Sequence, residues 1–255
     1  MGKRTCPASG LLRRAIIVSA IVSALTAAGP ASADPRAVAE LFTSQGCSSC
    51  PPADRLVEKM ATTRDDVLAL VLPVDYWDYL GWKDTLARPA HSARQRAYAA
   101  RRGDRSVYTP QIVVNGDEHV VGSNKASVGG ALKRAAPFTA HVSLKVSDMA
   151  IEATVDGALP QGAHMATVLF LRVKDHQEVA IGRGENEGAT VNYVNVVRSL
   201  QPIGMWDGKT GTFRMPKSEL TRFGDERCAV LIQLEDDDGP GRIIGAAVMD
   251  MPPHS

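Results

Sequence analysis

The stretch VLALVLPVDYW at residues 67–77 constrains the fold of this chain more than any other segment. It is a nearly continuous apolar run, too short to cross a membrane as a helix. A strand with one wet face would alternate apolar and polar residues, and this one does not. Such a run belongs at the centre of a sheet covered on both faces.

The flanking segments read as the rest of that sheet and its cover. Residues 37–44, AVAELFTS, are apolar enough for a buried strand. After Pro51 and Pro52, ADRLVEKMATT places Leu56, Val57 and Met60 at helical spacing. Proline suits the first helical turn, where its missing N–H leaves nothing unsatisfied, so this helix is predicted to begin beside Cys50-Pro51. Residues 89–103 open with Pro, are rich in Ala and Arg and stop at Gly, which predicts a second helix. Two β-branched runs flank Asn115-Gly116 in YTPQIVVNGDEHVVGS, the signal of a tight hairpin. KASVGGALKRAA then reads as a third helix. The order β-α-β-α-β-β-α predicts parallel pairing of the helix-separated strands and an antiparallel hairpin at the end.

From Phe138 the texture changes. HVSLKV, AIEATV, TVLFLRV, QEVAIG, TVNYVNVV, GTFRM, CAVLIQL and IIGAAVM are short β-branched runs separated by turn residues, with no good helix among them. That pattern predicts an all-β, sandwich-like domain over residues 138–255, after an α/β domain over residues 34–137, with the boundary near Pro137.

Residues 1–33 stand apart. Lys3, Arg4, Arg13 and Arg14 precede an apolar run over residues 15–28, which ends in Ala31-Ser32-Ala33. A basic start, a short apolar middle and an A-x-A site are expected of a secretory signal peptide, with a retained anchor as the alternative. The protein is therefore expected to be exported, periplasmic or secreted, with no stable membrane span once the leader is cleaved. With 29 Lys and Arg against 28 Asp and Glu, the chain has no field of one sign to draw in nucleic acid or acidic lipid.

Beyond the leader there are three cysteines, Cys47, Cys50 and Cys228, too few for a disulfide scaffold. Cys228 opens an apolar strand and reads as a small buried hydrophobe. Cys47 and Cys50 form a Cys-x-x-Cys at a strand-to-helix junction. Three readings fit it: thiol redox chemistry, a merely structural disulfide, or capture of a metal such as copper(I), which favours thiolates. His91 and His119 are the candidate third ligands, although no His-x-x-His or second cysteine pair supports a strong metal site. No metal or other cofactor is assigned. An oxidising compartment favours the disulfide.

ELFTSQGCSSCPPAD, VDYWDYLGWKD, ARQRAYA and YTPQIVVNG together resemble a family of exported bacterial thioredoxin-like proteins known as domain of unknown function 1223. RGENEG and YVNVVRSL extend the resemblance into the second half. It implies a thioredoxin-like first domain and a β-rich second one, without an established reaction. In thioredoxin-like proteins the residue matching Pro110 is a cis proline facing the cysteine pair, with the backbone of Thr109 placed to pair with an extended substrate. On that geometry Cys47 is the expected nucleophile and Cys50, in the helix's first turn, the expected resolver. A helix N-terminus favours a thiolate. Gly46 and Ser48-Ser49 depart from the common thioredoxin motif, and Pro51-Pro52 removes two donors from the helix start. The direction of electron flow therefore stays open.

The aromatic stretch at residues 75–82 follows the central strand, so Trp77 and Tyr79 are candidates for a substrate-binding wall, or for a packed loop. Asp75 and Asp78 are candidate proton acceptors for Cys50. Arg94, Arg96, Arg101, Arg102 and Arg105 read as a solvated helix face. GRGENEG at residues 182–188 has the wrong glycine spacing for a dinucleotide loop and reads as a turn. The expected function is thiol–disulfide exchange with the thiols or disulfides of exported proteins, served by an unidentified redox partner. The alternatives are a copper(I) carrier and a non-catalytic interaction protein.

Overall fold

A computed structural model describes residues 1–3, 35–221, 227–236 and 239–251. The expected signal peptide lies almost wholly outside them. The first half follows the predicted order: β1 (Ala37–Thr43), α1 (Pro51–Thr63), β2 (Val67–Pro73), α2 (Pro89–Arg102), β3 (Gln111–Val114), β4 (Glu118–Val121) and α3 (Lys125–Arg134). Every residue of β1 and β2 is buried, as the unbroken apolar run requires. β1 pairs with β2 in parallel and with β3 antiparallel. The β3–β4 turn holds Asn115 and Gly116 at φ 49° and 68°, the left-handed region for which Asn-Gly is suited.

The second half contains β5 (Ala140–Val146), β6 (Ala150–Gly157), β7 (Ala166–Ala180), β8 (Thr190–Trp206), β9 (Gly211–Pro216), a short helix α4 (Ser218–Thr221), β10 (Arg227–Asp236) and β11 (Gly239–Asp250). The expected architecture, a thioredoxin-like α/β domain followed by a separate all-β sandwich, is not what forms. Among the described residues strand far outweighs helix. One mixed eight-stranded sheet runs through both halves in the order β11-β10-β7-β8-β2-β1-β3-β4, and β5, β6 and β9 make a second, three-stranded sheet. The junction is β2 with β8, paired in parallel at Val71 and Val196 and reinforced by Asn195, whose Nδ2 donates to the carbonyl of Ala69 at 2.9 Å. The physical reason lies at the edge of β2. Left open, it would present a row of unpaired backbone groups, and β8 covers it.

Two of the expected short strands also merge. TVLFLRV and QEVAIG form the single strand β7, because Lys174, Asp175 and His176 continue the strand rather than turning. Its partner β8 is slightly longer, and the two pair as far as Ala180 and Thr190. This hairpin carries residues 181–189 to the end of β1.

Three apolar clusters hold the layers together. Ala39, Leu41 and Val71 face Val57 of α1, Leu132 of α3 and Tyr193. Val38, Phe42 and Leu70 face Tyr98 of α2 together with Leu169 and Leu231. Val168, Phe170 and Val230 face Val142, Ile151 and Val155 of the small sheet. Free Cys228 is buried, and burial pushes its thiol up to about 12, the inert behaviour expected of it.

Arg94 is not on a solvated face. Its side chain is largely buried against Glu40 of β1, with Nε 2.7 Å from Oε1, and it also donates to Tyr98 and to Gln233 of β10. Glu40 is fully buried and accepts a further bond from the Tyr98 hydroxyl at 2.7 Å. α2 is thereby tied to strands from both halves of the sheet.

Candidate functional site

β1 delivers the chain to a tight turn that ends in α1. Cys47 N–H donates to the Ser44 carbonyl and Cys50 N–H to the Cys47 carbonyl, both at 3.1 Å. The two side chains are joined as a disulfide, with Cα atoms 5.4 Å apart. Cys50 is the N-cap of α1, and Pro51 and Pro52 fill its first positions. Two of the donors usual at a helix start are thus missing, and those of Ala53 and Asp54 are taken by the Cys50 carbonyl. The polar neighbour of Cys47 Sγ is the Ser49 hydroxyl at 3.4 Å. A disulfide sulfur has no proton, so Ser49 is the donor.

Around this turn the structure brings together three residues singled out in the sequence, Thr109, Pro110 and Trp77. The Thr109-Pro110 bond is cis. Pro110 lies near the first turn of α1: a Cβ placed on Gly122 would stand 3.3 Å from both Pro110 Cβ and Ala53 Cβ. Trp77 Nε1 donates to Thr109 Oγ1 at 2.8 Å, and its backbone presses on Gly46, where a Cβ would lie 3.3 Å from Trp77 O. Trp77 therefore bridges the cysteine turn and the Thr109-Pro110 loop. Tyr79, on the single turn Asp78–Leu80, is 78% exposed and projects to solvent.

Other candidates are held elsewhere. Asp75 accepts from Ser92 Oγ and Asp78 from the N–H of Asp84, so both are tied into their own loop. His91 is buried with Nδ1 donating to the Pro73 carbonyl at 2.9 Å, and burial pulls its imidazole down to about 4 against that bond. His119 Nδ1 faces Tyr108 Oη and Gln111 Nε2. Among the described residues no three His, Cys, Asp or Glu side chains are grouped to hold a metal, so neither histidine completes a site with the cysteines.

The acid associated with the disulfide is one that sequence reasoning missed. Asp54 lies four residues after Cys50 on α1 and is buried. Thr43 Oγ1 donates to its Oδ1 at 2.7 Å, while Oδ2 has no partner. Burial pushes the carboxyl up to about 7, opposed by the Thr43 bond and aided by the charge of Asp84. Tyr193 of β8, also buried, has an unpartnered hydroxyl pushed up by burial and by the same two acids. Asp84 itself accepts from the N–H groups of Gln45, Leu86 and Ala87. The i, i+4 spacing from Cys50 was the available signal.

The second residue missed is Asn186, inside the RGENEG turn. Its Nδ2 donates to the carbonyls of Gln45 and Cys47, each at 2.9 Å. The turn was expected, but its position over the cysteines was not. Gly182 and Gly184 lie against Trp82, where a Cβ would stand 3.2 and 3.3 Å from ring and Cβ atoms, and Trp82 Nε1 donates to Gln45 Oε1.

A family model described as "Protein of unknown function (DUF1223)" matches residues 38–233. The chain belongs to the DUF1223 family. The matched span includes both the cysteine turn and Asn186. A crystal structure of an Agrobacterium tumefaciens protein is 33% identical, covers 87% of this chain and 98% of its own, and superposes with a TM-score of 0.74. HBP35 of Porphyromonas gingivalis, at 15% identity, covers 86% of this chain and 76% of its own with a TM-score of 0.54, a likeness of fold alone. No curated protein matches. The DUF1223 description carries no reaction.

Proposed function

We propose that this DUF1223 protein exchanges disulfides with thiols of other exported proteins through Cys47 and Cys50. The observation that carries the reading is the oxidised pair at the start of α1, with a buried carboxyl of uncommitted oxygen one helical turn away. A partner thiolate attacks Cys47 Sγ. A bond forms between the two sulfurs, the Cys47–Cys50 bond breaks, and its electron pair leaves on Cys50 Sγ. Cys50 is the more buried sulfur, where a bare thiolate is costly, so a proton is needed. Asp54, half protonated near neutrality, supplies it and takes it back in the reverse step. Ser49 stabilises charge on Cys47 when that sulfur is the thiolate. Thr109-Pro110 and Trp77 form the wall along which the partner's chain lies.

Export is part of the same proposal. It rests on the basic start, the apolar run and the Ala31-Ser32-Ala33 site, which together suit a secretory leader. An oxidising compartment then supplies thiols and disulfides as substrates.

The test is a titration of purified protein against glutathione redox buffers, with thiols read by mass tags. The expected result is one two-electron transition of Cys47 and Cys50 together, with Cys228 untouched. Catalysed reduction or oxidation of a model protein disulfide completes it. A pair that equilibrates with glutathione but never turns over a protein substrate would refute the reading.

A further inference from the structure

We propose that Asn186 is a latch over the Cys47–Cys50 disulfide, and that release of its two hydrogen bonds is the step that admits a protein thiol. The inference rests on the disulfide-exchange reading and adds to it a residue that selects among thiols by size.

Cys47 is only 2% exposed and Cys50 not at all. A thiolate must reach Cys47 Sγ in line with the bond it breaks, and a polypeptide bearing that thiolate needs room on both sides. The closed site offers none. Against the cysteine loop lies the β7–β8 turn at residues 181–189, which comes from the other half of the chain. Its ends are closed by bonds of 2.8 Å, Ile181 N–H to the Ala189 carbonyl and Gly188 N–H to the Ile181 carbonyl. Gly182 and Gly184 rest on Trp82. Arg183, Glu185 and Glu187 point to solvent.

Asn186 is thus the side chain of this turn that grips the cysteine loop. A carboxamide has two N–H groups, and both are spent, one on each carbonyl flanking Gly46. Such bonds exchange readily with water, so a pair of them holds a segment closed by on the order of tenfold in population, not permanently. Opening needs no change in the β7–β8 ladder. Small thiols reach the sulfur through minor fluctuations, whereas a protein thiol must wait for the latch.

The experiment measures the rate of reduction of Cys47–Cys50 in the oxidised full chain. Two probes are used, dithiothreitol and a reduced, unfolded polypeptide with one cysteine. Asn186→Ala removes both donors. Asn186→Asp keeps the size and sets a carboxylate against two carbonyls. Glu187→Gln, on the same turn, is the control. Both Asn186 variants are expected to react about tenfold faster with the polypeptide thiol and much less than tenfold faster with dithiothreitol, and Glu187→Gln at the wild-type rate. An unchanged or slower polypeptide reaction in both Asn186 variants overturns the latch. If neither the wild type nor any variant reacts with the polypeptide, the exchange reading fails and the latch is decided by hydrogen exchange instead; a tenfold gain with dithiothreitol in both Asn186 variants overturns selection by size. Hydrogen exchange on the wild type gives a check independent of folding in the variants. Residues 181–189 should open in step with residues 44–50 and faster than β8, and protection equal to that of β8 counts against the latch.

Discussion

Asp54 donates its backbone N–H to the carbonyl of Cys50 at 3.1 Å, so its buried carboxyl is one helical turn behind the disulfide. The helix that presents the sulfur also presents the acid. A residue held in this way affects stability as well as chemistry, because its charge state changes with folding.

Burial raises the folded Asp54 carboxyl from 3.8 to about 7. Its contribution to stability is fully present below 3.8 and is lost as pH rises toward 7. His91 runs the other way. Burial lowers it from 6.5 to about 4, so its contribution is present above 6.5 and is lost as pH falls toward 4. Between about pH 4 and 6.5 the two slopes oppose. Asp54→Asn removes one of them, so the variant should gain on the order of 3 kcal/mol of stability over that interval while the wild type changes little. Urea unfolding of the oxidised proteins across that range checks this, and parallel curves would count against the buried carboxyl.

The Glu40–Arg94 pair predicts a different asymmetry. Arg94→Met leaves a carboxylate fully buried without its cation and should cost roughly 3–5 kcal/mol in urea unfolding. Adding Glu40→Gln should recover most of that loss, because the uncompensated charge is gone. A loss under about 1 kcal/mol for Arg94→Met would show that the pair is solvated.

The two thiols should behave differently in the cell. Cys50→Ala is expected to accumulate mixed disulfides on Cys47, because the resolving sulfur is absent. Cys47→Ala should accumulate few, since Cys50 is fully buried. Non-reducing gels of both variants, expressed as the full 255-residue chain, make the comparison. Equal adducts from the two would reverse the assignment of the nucleophile.

The sequence by itself determined the elements of the first half. The apolar run at residues 67–73, the prolines at 51 and 52 and Asn115-Gly116 each act within a few residues, where backbone sterics and periodicity decide the outcome. The cysteine turn was legible for the same reason. Only the tertiary structure decided which strands became neighbours. Alternation of apolar residues marks a strand without naming its partner, so β8 could be read as a strand but not as the cover for β2. The same limit hid Asn186, whose contact with Cys47 spans 139 residues, and the burial of Arg94, whose partner Glu40 is 54 residues away. A polar residue shows in the sequence that it needs a partner, but which partner it finds depends on how the sheet brings distant segments together.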